Sequence, residues 1–391
     1  MNILYVSEYY YPRLAGGEIV SRQYCAGLAS RGHKVYVITS RLPDTADHEI
    51  VDGVEIFRPI KSAKISGNSS IQGVSALINR ASFAIKLYSV LKHFIKSHKI
   101  DLIYNVAYVP TLPAGWAASS SGIPAVTAVH SIWGTTWFKL TNPIIALLIY
   151  LLEIFVIRFG KHDVIQCPSK YAADRVRQHT GSKIVVIPPP LEMQEITEIK
   201  KTTDIKLVRQ QMGITDKQQF LLFVGTLTPI KNVYDLVLAL SDSKSDFKLV
   251  LVGEGPERHK IESLLQKRNI AHKVMLPGQQ SHHDTLRLMC SCDALILPSK
   301  IETFGIVVIE ALAMNRAVIA TPVGCVTEIS AENLYVIHNL NEINKIIEAD
   351  LLSSTNNKIV EEYSIPRIIM QLEQLLGNTL RGNLKLEDKS K

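Results

Sequence analysis

Short apolar runs alternate with segments of helical period along the whole chain. Asn2-Ile3-Leu4-Tyr5-Val6 reads as a buried first strand, and Ile19, Val20, Tyr24 and Leu28 fall on one face of a helix over about 18–30. Lys34-Val35-Tyr36-Val37-Ile38-Thr39 is the next strand. Strand, glycine-containing turn, helix and strand make a Rossmann-like opening. Strands at 101–104, 125–129, 164–169 and 184–187 continue the series, and Pro188-Pro189-Pro190 stiffens the exit. A second series follows, with strands at 220–225, 247–252, 274–278, 294–297 and 317–321 and helical patterns between them. The alternation predicts an α/β chain of two Rossmann-like domains with parallel sheets, the first over 1–190. No repeat of 20–50 residues points to a solenoid.

Three segments carry a further expectation. Lys61 to Gly73, rich in Ser, Gly and Lys, reads as a mobile loop. The helix after it has Val74, Leu77, Ile78, Ala81, Ile85 and Tyr88 in step, and it ends in Lys92, His93, Lys96, His98 and Lys99. Such an end is either a solvated helix terminus or a contact for anionic headgroups. Ile144 to Ile157, broken by Glu153, is the most apolar stretch; its 14 residues fall short of the roughly 20 that a membrane-spanning helix needs, and it reads as a buried or an interfacial helix, with the core preferred.

Charge and cysteine content narrow the partners. Residues 1–190 hold 20 Lys+Arg against 11 Asp+Glu, and the remainder holds 23 against 25. A basic first half meets something anionic. With no RNP-like, zinc-finger or helix-turn-helix signature, an anionic lipid surface or acceptor is preferred over nucleic acid. The five cysteines lack metal-ligand spacing and fit a reduced, cytosolic protein. The first residues read as a strand and not as a signal peptide.

The chemistry concentrates after the strand Ala294-Leu295-Ile296-Leu297. The loop Pro298-Ser299-Lys300-Ile301-Glu302-Thr303-Phe304-Gly305 leads into a helix that carries Glu310. Unpaired N–H groups and the positive dipole end at a helix start suit a phosphate, and a nearby carboxylate suits ribose hydroxyls. Lys231, just before another helix start, would meet the same phosphates, and the Gly16-Gly17 pair allows close backbone approach at the first strand's carboxyl end. His130 stands at the carboxyl end of its own strand, where ligands bind in open α/β sheets.

The order Gly16-Gly17, His130, Ser169, Gly225…Lys231, Gly253-Glu254-Gly255-Pro256 and Pro298-Ser299…Glu302…Phe304-Gly305…Glu310-Ala311 resembles retaining nucleotide-sugar glycosyltransferases of the GT-B fold, family 4. The resemblance spans nearly the whole chain and is most specific in its second half. It implies an acceptor-binding domain over 1–190 and a nucleotide-sugar-binding domain over 191–365, facing each other across a cleft. Residues 366–391 would supply a C-terminal helix returning to the first domain and then a polar tail. Glu310 would hold the ribose, Glu302 would face the donor sugar, and backbone N–H groups at Phe304, Gly305 and Ile306 would receive sugar or diphosphate oxygens. Lys231 would neutralise the leaving diphosphate, Gly16 and Gly17 would close over it, and His130 would contact the sugar. Gly225, Thr226 and Gly253 would complete the donor site.

The implied reaction moves a hexose-type unit from an NDP-sugar to a lipid-linked or polysaccharide acceptor. It would take place at the cytoplasmic membrane face, in cell-surface polysaccharide or lipopolysaccharide synthesis. No cofactor or metal is expected, since the chain has no Asp-x-Asp motif. Two positions depart from the pattern. Thr226 stands where the family usually has a second diphosphate cation, with Arg13 or Arg316 as candidate substitutes, and Pro188-Pro189-Pro190-Leu191 replaces an Asn-Gly turn. The alternatives are a sugar-nucleotide epimerase or phosphorylase of the same fold, and a non-catalytic sugar-nucleotide-binding protein.

Overall fold

The computed structural model describes residues 1–13, 16–61, 74–130, 132–139, 141–349, 352 and 358–382. The expected loop at 62–73 and the tail from 383 lie outside the described residues. The chain divides into two compact units, Met1–Pro190 with Ile365–Lys391, and Leu191–Ser364.

In the first unit the strands are β1 (Asn2–Val6), β2 (Lys34–Arg41), β3 (His48–Val51), β4 (Val54–Lys61), β5 (Leu102–Val106), β6 (Ala125–Ala128), β7 (Val164–Cys167) and β8 (Lys183–Val186). They form one sheet in the order β3-β4-β2-β1-β5-β6-β7-β8. Every pairing is parallel except β3 with β4, an edge hairpin that turns at Asp52-Gly53, both at positive φ. The helices are α1 (Gly16–Ser30), α2 (Val74–His98), α3 (Thr111–Ser121), α4 (Pro143–Phe159) and α5 (Lys170–Arg177). The central strands are apolar on both faces because helices cover both.

Two helices differ from the sequence reading. On α2 the buried side is Phe83, Leu87, Leu91, Phe94 and Ile95, whereas Ala81 and Ile85 face solvent, Ile85 at 74% exposure. A second apolar stripe with the same period wins, because it carries the larger rings and leucines. Lys92, His93, Lys96 and Lys99 are exposed at the end of that helix. On α4 the preferred core assignment is overturned and the interfacial alternative stays open: only Ala146, Ile149, Glu153, Val156 and Ile157 are buried, and the opposite side shows large apolar groups to solvent.

The second unit holds α6 (Met193–Thr202), α7 (Ile205–Gln211), β9 (Gln219–Val224), α8 (Val233–Leu240), β10 (Phe247–Val252), α9 (Arg258–Lys267), β11 (Val274–Gly278), α10 (His282–Ser291), β12 (Ala294–Leu297), α11 (Ile306–Ala313), β13 (Ala317–Ala320), β14 (Leu334–Val336) and α12 (Glu342–Glu348). Its six strands are all parallel, in the order β11-β10-β9-β12-β13-β14. Strand order reverses between β9 and β12, so the loops leaving these two strands part to opposite faces and leave a crevice at their carboxyl ends. The last helix, α13 (Ile365–Leu380), belongs to the first unit. Its Ile369 packs against Gly27 of α1, and Glu373 accepts hydrogen bonds from Arg31 (2.7 Å) and His33 (2.8 Å).

Candidate functional site

In the second unit, the loops after β9 and β12 bring the expected residues together. Lys231 follows β9 and Glu302 follows β12, and their side chains form a direct, partly buried ion pair. The two loops are also tied through their backbones, the Lys300 N–H donating to the Ile230 carbonyl at 2.8 Å. An ammonium has three donors, so one bond to Glu302 leaves Lys231 with further N–H directions.

The turn into α11 is built on Gly305, which caps the helix at φ +84°. That left-handed conformation suits glycine, and a Cβ there would sit 3.2 Å from Leu297. Ile306 opens the helix; the Val308 N–H closes back on the capping Gly305 carbonyl at 2.9 Å, and the N–H groups ahead of it have no carbonyl of the helix to bond. Phe304 is buried, with its ring 5.9 Å from that of Tyr363, which fixes the loop's inner side.

Glu310 lies one turn into α11 and is 7% exposed. Burial raises its pKa; nearby His282 lowers it and Glu195 raises it further. The His282 Nε2 stands 3.9 Å from Glu310 and 3.6 Å from Glu195, so it sits between two carboxylates. Sequence reasoning passed over His282 and Glu195; the signal for His282 was its place at a helix start after the capping Ser281. It gave Ser299 no role beyond its place in the motif, and it gave none to Asn232. Both are buried on these two loops, with Ser299 Oγ and Asn232 Oδ1 lacking hydrogen-bond partners.

Gly225 and Gly253 end the adjacent strands β9 and β10, and Thr226 is exposed beside them. Gly253 adopts φ +137°, and a Cβ on it would lie 1.9 Å from the Gly225 carbonyl oxygen. Backbone cannot yield there as a flexible side chain would. Gly253→Ala is therefore expected to lower the melting temperature by several degrees, and differential scanning calorimetry reads this directly. An unchanged melting temperature would show that the two strand ends can part to admit a methyl group.

Arg316 does not replace the cation missing at Thr226. It precedes β13, so it stands at the amino ends of the strands, with α11 running between it and the loop of Glu302. The guanidinium of Arg13, in the first unit, lies 3.6 Å from Glu18 and 4.5 Å from the Tyr9 ring centre.

The first unit carries the other three residues. Gly16 and Gly17 open α1 and are exposed, and a Cβ on either would meet nothing within 4 Å. The surrounding fold therefore imposes no steric demand for glycine at this pair. His130 follows β6, and its Nε2 is buried without a hydrogen-bond partner. Burial pushes its pKa down to about 4, so the ring is neutral at pH 7. Among the described residues no group of three or more His, Cys, Asp and Glu is placed to hold a metal ion.

Two parallel-sheet units of this kind define the GT-B architecture of glycosyltransferases. A family model described as "Glycosyltransferase Family 4" matches residues 14–195, and one described as "Glycosyl transferases group 1" matches residues 204–361. Together the two matches span most of the chain and support a glycosyltransferase of the GT-B fold, family 4. An uncharacterized glycosyltransferase of Methanocaldococcus jannaschii is 30% identical over 249 residues, 63% of each chain, so the match spans under two thirds of that relative. The alpha-monoglucosyldiacylglycerol synthase of Streptococcus pneumoniae is 25% identical over 332 residues, 82% of this chain and 71% of that one. Among solved structures, the Anabaena protein HepE in complex with UDP and glucose superposes with a TM-score of 0.69 at 17% identity, covering 96% of this chain and 99% of that one.

Proposed function

We propose that the chain is a retaining glycosyltransferase that moves a hexose-type unit from an NDP-sugar to a lipid-linked or glycan acceptor. The observation that carries this reading is the Lys231–Glu302 pair at the switch point of the second sheet, directly before the helix start that bears Glu310. In this reading Glu310 accepts from the ribose hydroxyls. The N–H groups at Phe304, Gly305 and Ile306 and the Lys231 ammonium receive diphosphate and sugar oxygens. Gly225, Thr226 and Gly253 leave room for the donor.

As the C1–oxygen bond of the donor breaks, negative charge gathers on the leaving diphosphate. Preorganised donors and a lysine at that spot lower the barrier. Glu302 faces the sugar, where the charge of opposite sign develops. The assignment extends to Gly16 and Gly17 for the diphosphate and to neutral His130, whose Nε2 is buried and unpartnered, for the sugar. Support for a nucleotide-sugar donor comes from the UDP and glucose bound by HepE, and support for a lipid acceptor from the diacylglycerol product named for the streptococcal relative. The basic first half, with 20 Lys+Arg against 11 Asp+Glu in residues 1–190, supports a peripheral location on the anionic inner face of the cytoplasmic membrane.

Incubation of the full chain with a panel of nucleotide-sugars and membrane lipid extract, followed by mass spectrometry, tests the reading. Transfer of one sugar to a lipid or glycan is expected, with the anomeric configuration of the donor kept. EDTA should leave the rate unchanged, because Lys231 and the helix start do what a bound divalent cation would otherwise do. Loss of activity in EDTA with recovery in Mg²⁺ or Mn²⁺ would count against the site. Donor bound tightly but never turned over would favour a binding protein, a reading to which the exposed Thr226 lends weight.

A further inference from the structure

Helix α4 has two unlike sides. Its inner side buries Ala146, Ile149, Val156 and Ile157 in the first unit. The Glu153 carboxylate, 4% exposed, sits on that side and accepts from the backbone N–H groups of Trp133 (3.3 Å) and Gly134 (2.9 Å). The loop that follows His130 is thereby fastened to this helix. Arg175 holds the same loop, donating to the carbonyls of Ile132 and Trp133.

The outer side shows Leu147, Leu148, Leu151, Leu152, Phe155 and Phe159 to solvent, each about half exposed, with Ile144 at 72%. At 100° per residue these positions span roughly 140° of the helix, a continuous stripe. Phe138, in the short turn Gly134–Lys139, is also exposed, and its ring meets that of Tyr150 edge to face. A contiguous apolar patch of this kind marks an interaction site.

Charge decides what covers it. No acidic side chain lies on the outer face, since Glu153 is the one carboxylate of α4 and is turned inward. Arg158 is exposed within the stripe at its C-terminal end, and exposed Lys161 follows. Apolar groups ending in cations match an anionic bilayer surface, where the rings and leucines enter the acyl boundary and the cations stay with the headgroups. The helix has 17 residues, and among the described residues no helix is long and apolar enough to cross a membrane, so α4 suits lying in the interface plane.

We propose that α4 is a membrane-contact helix, inserting its outer face into an anionic phospholipid monolayer. The inference rests on the membrane location proposed above and names the element that makes the contact. It also replaces simple adsorption through the basic end of α2 as the main mode. The inner face of the same helix holds the loop after His130, so membrane contact and that part of the first unit move as one piece.

Vesicle co-sedimentation of the full chain tests this without donor or acceptor, so its outcome is separate from that of the transfer assay. The wild type is expected to pellet with vesicles of phosphatidylglycerol and phosphatidylcholine, and a substantial bound fraction should survive high salt because insertion is apolar. Leu148→Glu combined with Phe155→Glu should lower partition at least tenfold. Both side chains are exposed, so the fold should hold, and an unchanged melting temperature confirms it. Arg158→Ala should weaken binding to the anionic vesicles and leave binding to pure phosphatidylcholine as it was. The proposal is overturned by a wild type that stays in the supernatant, by complete release in high salt, or by a double variant that partitions like the wild type. A dimer split by the double substitution, with no vesicle binding in either form, overturns it in favour of a second copy of the chain.

Discussion

Lys231→Ala is expected to cut turnover ten- to a hundredfold while weakening donor binding less. The ammonium lies after β9 at the switch point, where the proposed leaving diphosphate gathers charge. A hydrogen bond to a charged group contributes about 1.5–3 kcal/mol, and each ~1.4 kcal/mol is a factor of ten in rate. The loss should fall mainly on kcat because the diphosphate is more negative in the transition state than in the bound donor. Single-turnover rates and calorimetric donor affinity separate the two. The ion pair with Glu302 complicates the single variant, since removing the lysine also strips a partly buried carboxylate of its partner. Comparing Lys231→Ala, Glu302→Gln and the double variant isolates that coupling. Lys231→Arg keeps the charge but changes its geometry, so it should recover part of the rate. Full turnover in Lys231→Ala would remove this residue from the mechanism.

What the sequence made legible follows from how each feature is encoded. The β12–α11 region could be read because its parts are contiguous: an apolar run, a proline stop, a glycine turn and a helix with one carboxylate on each side of its start. Lys231 could be read by its position after a strand that ends in glycine. Its pairing with Glu302 could not, because the two are 71 residues apart and only the sheet order joins them. The same holds for His282 and Glu195, which reach Glu310 from α10 and α6. The β3–β4 hairpin was open to reading through Asp52-Gly53, a strong turn signal between two short strand-like runs, and it was missed. Helix α4 failed for a different reason. Its residues are apolar on both sides, so periodicity shows no difference between the buried and exposed faces. The one polar residue, Glu153, marks the inner side, which inverts the usual rule because it is satisfied by backbone N–H groups.

Glu310→Ala should weaken nucleotide affinity by at least tenfold, and on the order of a hundredfold if both ribose hydroxyls donate to it, each such charge-assisted bond contributing about 1.5–3 kcal/mol. The residue is nearly fully buried, and its pKa is raised by that burial, with His282 opposing and Glu195 adding to the shift. Two pH effects follow with opposite signs. A raised folded-state pKa means that the folded chain holds the proton more tightly than the unfolded one. This contribution to stability is fully present below the unfolded carboxylate pKa and is lost as pH rises through the folded one. At neutral pH the ionised carboxylate therefore costs stability, and Glu310→Gln should melt no lower than the wild type. Binding runs the other way. The ribose needs the ionised acceptor, so nucleotide affinity should fall as pH drops from 7 through the raised pKa. Glu310→Gln should bind weakly at every pH and lose that slope. Calorimetric titration of UDP, GDP and ADP into wild type and both variants across this range reads the affinity and the slope together. Unchanged affinity in Glu310→Ala would sink the assignment of this helix to the nucleotide. A melting temperature that drops in Glu310→Gln would mean that the carboxylate is held for the fold through His282, and not kept, at a cost in stability, for a ligand.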